Sequence, residues 1–221
     1  MNTARSFWAF AALCGSAVLL LIFLTPDLRP DSSLHPVTTA QTASATQGSD
    51  RVPRGKVSDK FPNILLTTHD NRPVRFYDDL VRDKSVVINF MYSDCVAGCP
   101  LTTANLNRLY DHLRPHMGKD ILFLSITLSG VLDTPEALRT YADRFGGVRP
   151  GWLYLTGDYG EIDALRRTLG VYDLDPVIDA NKSSHAGILT FGNDRTDRWA
   201  ALPAMMDSRG IAKTVSWITR N

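Results

Sequence analysis

The chain has 221 residues, 44% of them hydrophobic, and a formal net charge of +1. That near-neutral balance, with no basic run interleaved with aromatics, excludes nucleic acid as an expected partner. With only three cysteines, Cys14, Cys95 and Cys99, the chain is not a disulfide-rich scaffold, and one specialised thiol pair is what remains.

Ser6 to Leu24 carries no charge and follows Arg5. At about 1.5 Å of helix rise per residue it nearly matches a bilayer core. No small-x-small cleavage site closes the run, because Thr25-Pro26-Asp27 follows directly. Residues 1–24 are therefore expected to be an uncleaved, single-pass anchor, with Cys14 an inert apolar residue within it and Arg5 on the cytoplasmic side. Residues 25–60 are rich in Thr, Ser, Pro and Gln and lack aromatics. They read as a disordered tether with a span of roughly 30–35 Å. The head, residues 61–221, is then expected outside the cytoplasm. The absence of an Arg- and Ser-rich presequence favours the periplasmic side of a bacterial inner membrane.

Within the head, Ile64–Leu66 and Val74–Phe76 read as a hairpin joined through Asp70-Asn71-Arg72-Pro73. The run Ser85 to Met91, almost wholly apolar and β-branched at its start, reads as a buried central strand. Cys95 and Cys99 follow, then Pro100, then a helical pattern through Leu106, Leu109, Tyr110 and Leu113. Proline suits a first helical turn. Cys99 is thus expected at a helix mouth, whose partial positive charge lowers a thiol's pKa.

Ile121–Ile126 predicts a second strand. Asp133-Thr134-Pro135-Glu136 opens a helix with its apolar face at Leu138, Tyr141, Ala142 and Phe145, and Gly146 ends it. Trp152–Leu155 makes a third strand, and Ile162, Leu165 and Leu169 mark the next helix. Ala186–Phe191 and Thr196–Ala200 predict a closing pair of strands, with a last helix over about residues 208–218. Strands alternating with helices, then an antiparallel finish, give a mixed α/β sheet covered on both faces. A thiol pair after the first central strand makes it thioredoxin-like.

In that topology the loop entering the strand after the second crossover faces the cysteine turn, and it carries His185. Two thiolates and one imidazole suit copper, with soft sulfur holding Cu(I) and the nitrogen tolerating Cu(II). Zinc fits the same ligand types; copper is preferred because an open three-ligand site on an exported domain suits transfer. A structural disulfide is the weaker reading of Cys95 and Cys99, since so small a loop removes little chain entropy. His112 and His116 flank Pro115 near a helix end and read as solvated; Met205 and Met206 could form a copper-handling thioether pair, but read first as core gap-fillers. His35 and His69 are given no role.

The order Cys-x-x-x-Cys-Pro, Asp133-Thr134-Pro135-Glu136, Trp152-Leu153-Tyr154-Leu155-Thr156-Gly157 and His185 resembles the SCO/SenC family from about Phe61 to the C-terminus. The resemblance implies a thioredoxin fold, copper held at Cys95, Cys99 and His185, and service to the copper-bearing subunit of cytochrome c oxidase or another copper protein. It also implies that relatives act as thiol–disulfide reductants, so that Cys95 and Cys99 would be a redox pair recharged by a thioredoxin-like reductant. The chain departs from the family pattern twice. Ser125-Ile126-Thr127-Leu128 stands where Ser-Val-Asp-Pro is usual, and Gly192-Asn193-Asp194 replaces an Asp-x-x-Gly turn. A peroxiredoxin-like peroxidase is a distant alternative, because Tyr92 and Val96 stand where Thr-x-x-Cys needs threonine.

Overall fold

A computed structural model describes residues 52–95, 98–180 and 187–220. The predicted anchor, Cys14, His35, most of the predicted tether and His185 lie outside the described residues. Among the described residues no helix is long and apolar enough to cross a membrane.

Seven strands form one sheet: β1 (Leu65–Thr68), β2 (Pro73–Arg75), β3 (Ser85–Met91), β4 (Ile121–Thr127), β5 (Trp152–Gly157), β6 (Ile188–Asn193) and β7 (Arg198–Pro203). Their order is β2-β1-β5-β4-β3-β6-β7. β3 runs parallel to β4, and β4 to β5, whereas β6 lies antiparallel to β3 and β7 antiparallel to β6. Helices α1 (Gly98–Leu113), α2 (Pro135–Arg144), α3 (Tyr159–Thr168), α4 (Pro176–Asp179) and α5 (Ser208–Thr219) flank the sheet. This is the thioredoxin-like arrangement expected from the sequence.

Every residue of β3 is buried, as a strand covered on both faces requires. Its one amide, Asn89, is satisfied sideways. The Ser125 hydroxyl donates to Asn89 Oδ1 at 2.7 Å, and Trp152 Nε1 donates to Ser125 Oγ at 2.9 Å. Three adjacent strands thus share one buried polar chain, which avoids the cost of an unpaired polar group. The carboxyl ends of β3, β4 and β5 all open at one sheet end, the usual place for a site in an α/β sheet.

The closing hairpin is shifted by about two residues from its expected place. Gly192 and Asn193 stay in β6, and the turn falls at 194–197, with Asp197 at a φ of 53°. Gly192 pairs with Trp199, and a Cβ at Gly192 would meet the Trp199 ring at 2.3 Å. The glycine makes room for an indole instead of marking a turn.

The folded head also reaches further toward the N-terminus than composition indicates. Residues 57–60, assigned to the tether, form a 3-10 turn, and their neighbours converge on Asp194, which is fully buried. Arg54 Nη2 lies 3.1 Å from its carboxylate and Lys56 Nζ 3.6 Å away; the Ser58 hydroxyl donates to it, and the Asp83 N–H donates at 2.9 Å. Polar residues that look solvated in sequence are thus held by a buried charge 140 positions on.

His69, expected to be idle in a hairpin turn, is buried, and its Nδ1 accepts the Tyr154 N–H at 3.2 Å. Burial pushes its pKa below the ordinary histidine value. Burial works against the charged Asp194, but the Ser58, Asp83, Lys56 and Arg54 contacts outweigh it and hold the carboxyl below its usual range. In both cases the unfolded chain binds a proton more readily than the folded one. Stability is then full above the unfolded pKa and lost as pH falls through the folded pKa. For His69 the loss begins below about pH 6.5, with a slope of up to about 1.4 kcal/mol per pH unit. Urea unfolding at stepped pH reads it directly. His69→Asn, which keeps an acceptor near Nδ1, should flatten the curve between pH 5 and 6.5, and an unchanged slope would refute the assignment.

Candidate metal centre

β3 ends at Met91, and the chain turns through Tyr92–Cys95 toward α1. Cys99 is the second residue of α1 and only 1% exposed, and Cys95 is half-buried. Cys95 Sγ accepts the Cys99 N–H at 3.3 Å. A donor at the start of α1 therefore points at the Cys95 sulfur, an arrangement that favours negative charge there.

The expectation that the helix mouth would activate Cys99 is corrected by its burial. Desolvation first, and then the hydrogen bond to Cys95, push the Cys99 thiol up to about 12. The buried residue keeps its proton while its half-exposed neighbour receives the helix N–H. Iodoacetamide should therefore alkylate Cys95 well before Cys99 in the reduced protein, read by peptide mass spectrometry over time. The opposite order would contradict this geometry.

The loop before Cys95 is braced by Asp133, buried and fully engaged. Its carboxylate accepts the Ser93 N–H at 3.0 Å and the hydroxyls of Ser93 and Thr127. Thr134 then caps α2 by accepting the Ala137 N–H at 3.2 Å, with Pro135 in the first turn. The Asp-Thr-Pro element thus does two jobs, holding the sulfur loop and starting a helix. Thr127 lies in the segment that departs from the usual Ser-Val-Asp-Pro, and it supplies a hydroxyl donor to Asp133 where a second carboxylate would be a like charge. In the sequence Asp133 is legible only as the first residue of Asp133-Thr134-Pro135-Glu136, because its role depends on contacts with Ser93 and Thr127.

The residues at either end of the segment that carries His185 are both placed by the fold. The β3–β6 pairing ends at Asn89–Leu189, and Gly187 directly precedes β6, at the end of the sheet where β3 finishes. At the segment's other end Ala180 shares a cavity of about 250 Å3 with Tyr92, Leu128, Leu132, Tyr159 and Arg166. Arg166 holds Asp179 in this wall through bonds of 2.6 and 2.8 Å. Residues 180 and 187 thus both lie at the sheet end where the cysteine loop emerges.

Among the described residues no group of three or more His, Cys, Asp or Glu side chains could hold a metal ion. The two thiols alone are suited to a soft ion such as Cu(I), with zinc an alternative by ligand type. His112 and His116 do not form a pair: His112 Nε2 lies 3.3 Å from Ser208 Oγ, and His116 Nδ1 lies 3.1 Å from Asp120. Met205 and Met206, expected in the core, are instead 57% and 41% exposed.

Comparison with known proteins places the fold in a family. The family model described as SCO1/SenC matches residues 56–218. A Stutzerimonas stutzeri protein named for copper binding is 25% identical over 135 residues, 58% of this chain and 62% of that one. This chain therefore spans less than two thirds of the length of that curated relative. The crystal structure of a SCO1/SenC family lipoprotein from Bacillus anthracis is similar at 20% identity and a TM-score of 0.61, covering 76% of this chain and all of that one. BsSco, a Sco-family cytochrome c oxidase assembly protein in which a disulfide switch was identified, is 16% identical with a TM-score of 0.59, over 72% and 94% of the two chains. With the family model spanning the sheet, the cysteine turn and the closing helix, this chain belongs to the SCO1/SenC family.

Proposed function

We propose that this protein is a copper chaperone that carries Cu(I) on Cys95 and Cys99, with His185 as third ligand. It hands the ion to the copper-bearing subunit of cytochrome c oxidase or to another copper protein. Residues 1–24 anchor it in a bacterial inner membrane, and the head works in the periplasm. The observation that carries the reading is the meeting of two cysteines at the mouth of α1, where the Cys99 N–H donates to Cys95 Sγ at 3.3 Å. Two thiolates match a soft monovalent cargo, and stepwise ligand exchange lets it leave for an acceptor with more or better donors. Family membership and the copper-binding relative support the same cargo.

Titration of the full chain with Cu(I) against a competing chelator tests this, using wild type, Cys95→Ser, Cys99→Ser and His185→Ala. Each variant should weaken binding. If His185→Ala holds copper as tightly as wild type, the three-ligand centre is wrong.

A second reading is favoured by the inequality of the two sulfurs. A half-exposed Cys95 beside a buried Cys99 suits attack and resolution. Cys95 thiolate would attack a partner disulfide and release one partner thiol. Cys99 would then displace the second, leaving the partner reduced and Cys95–Cys99 oxidised, to be re-reduced by a thioredoxin-like protein. A measured reduction potential, with rescue of the cellular defect by added copper or by a thiol reductant, separates the two roles.

A further inference from the structure

We propose that the Met205–Met206 turn is a second, transient Cu(I) site, a thioether landing point on the turn between β7 and α5. The cargo rests on the copper reading above; the site itself rests on how the turn is built. β7 ends at Pro203, which pairs with Ile188 at the start of β6. The Ala204 N–H then donates to Gly187 O at 2.8 Å. Gly187 is the first described residue after the segment that carries His185.

From the other side Asn105, 7% exposed, donates its side-chain amide to Ala204 O at 2.7 Å and Met206 O at 2.8 Å. Asn105 belongs to α1, roughly 9 Å of helix rise from Cys99. Met206 N–H closes the turn on Pro203 O at 3.1 Å. The backbone is thus fixed between the helix that begins at the sulfur pair and the strand that follows His185.

Both methionine side chains nonetheless reach solvent, at 57% and 41% exposure. Methionine is normally a gap-filler in cores, and in this chain Met91 and Met117 play that part at 1% and 6% exposure. Two adjacent exposed thioethers offer something a core does not need: soft, neutral donors that bind Cu(I) without losing a proton. Neutral thioethers hold the ion more weakly than thiolates do, so copper taken up there passes on to Cys95 and Cys99 and does not stay.

Methyl-13C-methionine labelling of the full chain tests the proposal, with Cys95→Ser/Cys99→Ser removing the stronger site and ascorbate keeping copper as Cu(I). The Met205 and Met206 methyl resonances, assigned through Met205→Leu and Met206→Leu, should shift on Cu(I) addition while those of Met91 and Met117 stay still. In the chain with both cysteines intact, Met205→Leu/Met206→Leu should leave the amount of bound copper unchanged. It should slow uptake from a Cu(I) donor several-fold. Unmoved Met205 and Met206 methyls, or an unchanged uptake rate, would overturn the thioether site. If those methyls shift but the intact cysteines hold no copper, the cysteine centre fails as a copper carrier while the thioether site stands.

Discussion

The affinity of the reduced protein for Cu(I) should rise about tenfold per pH unit between about pH 6 and 8 on account of Cys99 alone. Two effects compete at this thiol. The start of α1 favours negative charge, but a helix terminus contributes only about 0.3–1 kcal/mol at most surface sites, under one pKa unit. Cys99 is 1% exposed, and its burial and its bond to Cys95 carry the thiol up to about 12. Desolvation wins, and the sulfur is protonated throughout the physiological range. Because only the thiolate binds the ion, copper must displace that proton, and each tenfold fall in proton activity favours the bound state tenfold. Competition against a chelator of known pH dependence reads the slope. Cys99→Ser should reduce the slope by the contribution of that proton. It should also weaken binding by more than about 100-fold, since even changes to groups behind the ligands cost about 10–100-fold. An affinity independent of pH over this window would show that Cys99 is not a ligand, or that it is already ionised.

The pH argument marks where sequence stopped being a guide to this site. Proline after a cysteine places a thiol at a helix start, and the helix does begin at Gly98. Nothing local says that Cys99 is fully buried while Cys95 is only partly so, because burial is set by the strands and helices that pack around the turn. The central strand was legible for the opposite reason. Seven consecutive buried residues in β3 leave an apolar signature that needs no partner to be read. Long-range polar pairings left none. Arg54, Lys56 and Ser58 look like tether until Asp194 is known to be buried beneath them, and Gly192-Asn193-Asp194 looks like a turn until Trp199 is seen to need the glycine. Asp133 was visible as a motif letter, and its hold on Ser93 and Thr127 appears only when the loop after β3 meets the end of β4 and the residues before α2. The convergence of His185 on the sulfurs remains a proposal, supported by the fixed ends of its segment.

Those fixed ends make Arg166 the residue whose loss should spread furthest. Arg166→Met should cost about 3 kcal/mol of folding stability, the lower part of the range for breaking a buried ion pair. The Arg166 side chain is 4% exposed and that of Asp179 8%. Besides its two bonds to Asp179, the guanidinium donates to Asp163 at 3.0 Å and to Val171 O at 2.8 Å. Removing it leaves the Asp179 carboxylate in the cavity wall with the Asp173 N–H and with Arg167, which is half exposed. A paired charge that loses its buried partner is penalised more than the pair itself was worth. Arg167 keeps the estimate at the low end, and for the same reason Arg167→Met should cost well under half as much. Urea midpoints for the two variants give the comparison directly. A second consequence follows from position: Asp179 immediately precedes Ala180, where the described chain breaks off before His185. If the clamp on Asp179 sets where that segment starts, Arg166→Met should weaken Cu(I) binding about 10–100-fold, as loss of a supporting group behind a ligand does. Combined with His185→Ala, it should then cost nothing further. Additive losses in that double variant would mean that the clamp serves the fold alone.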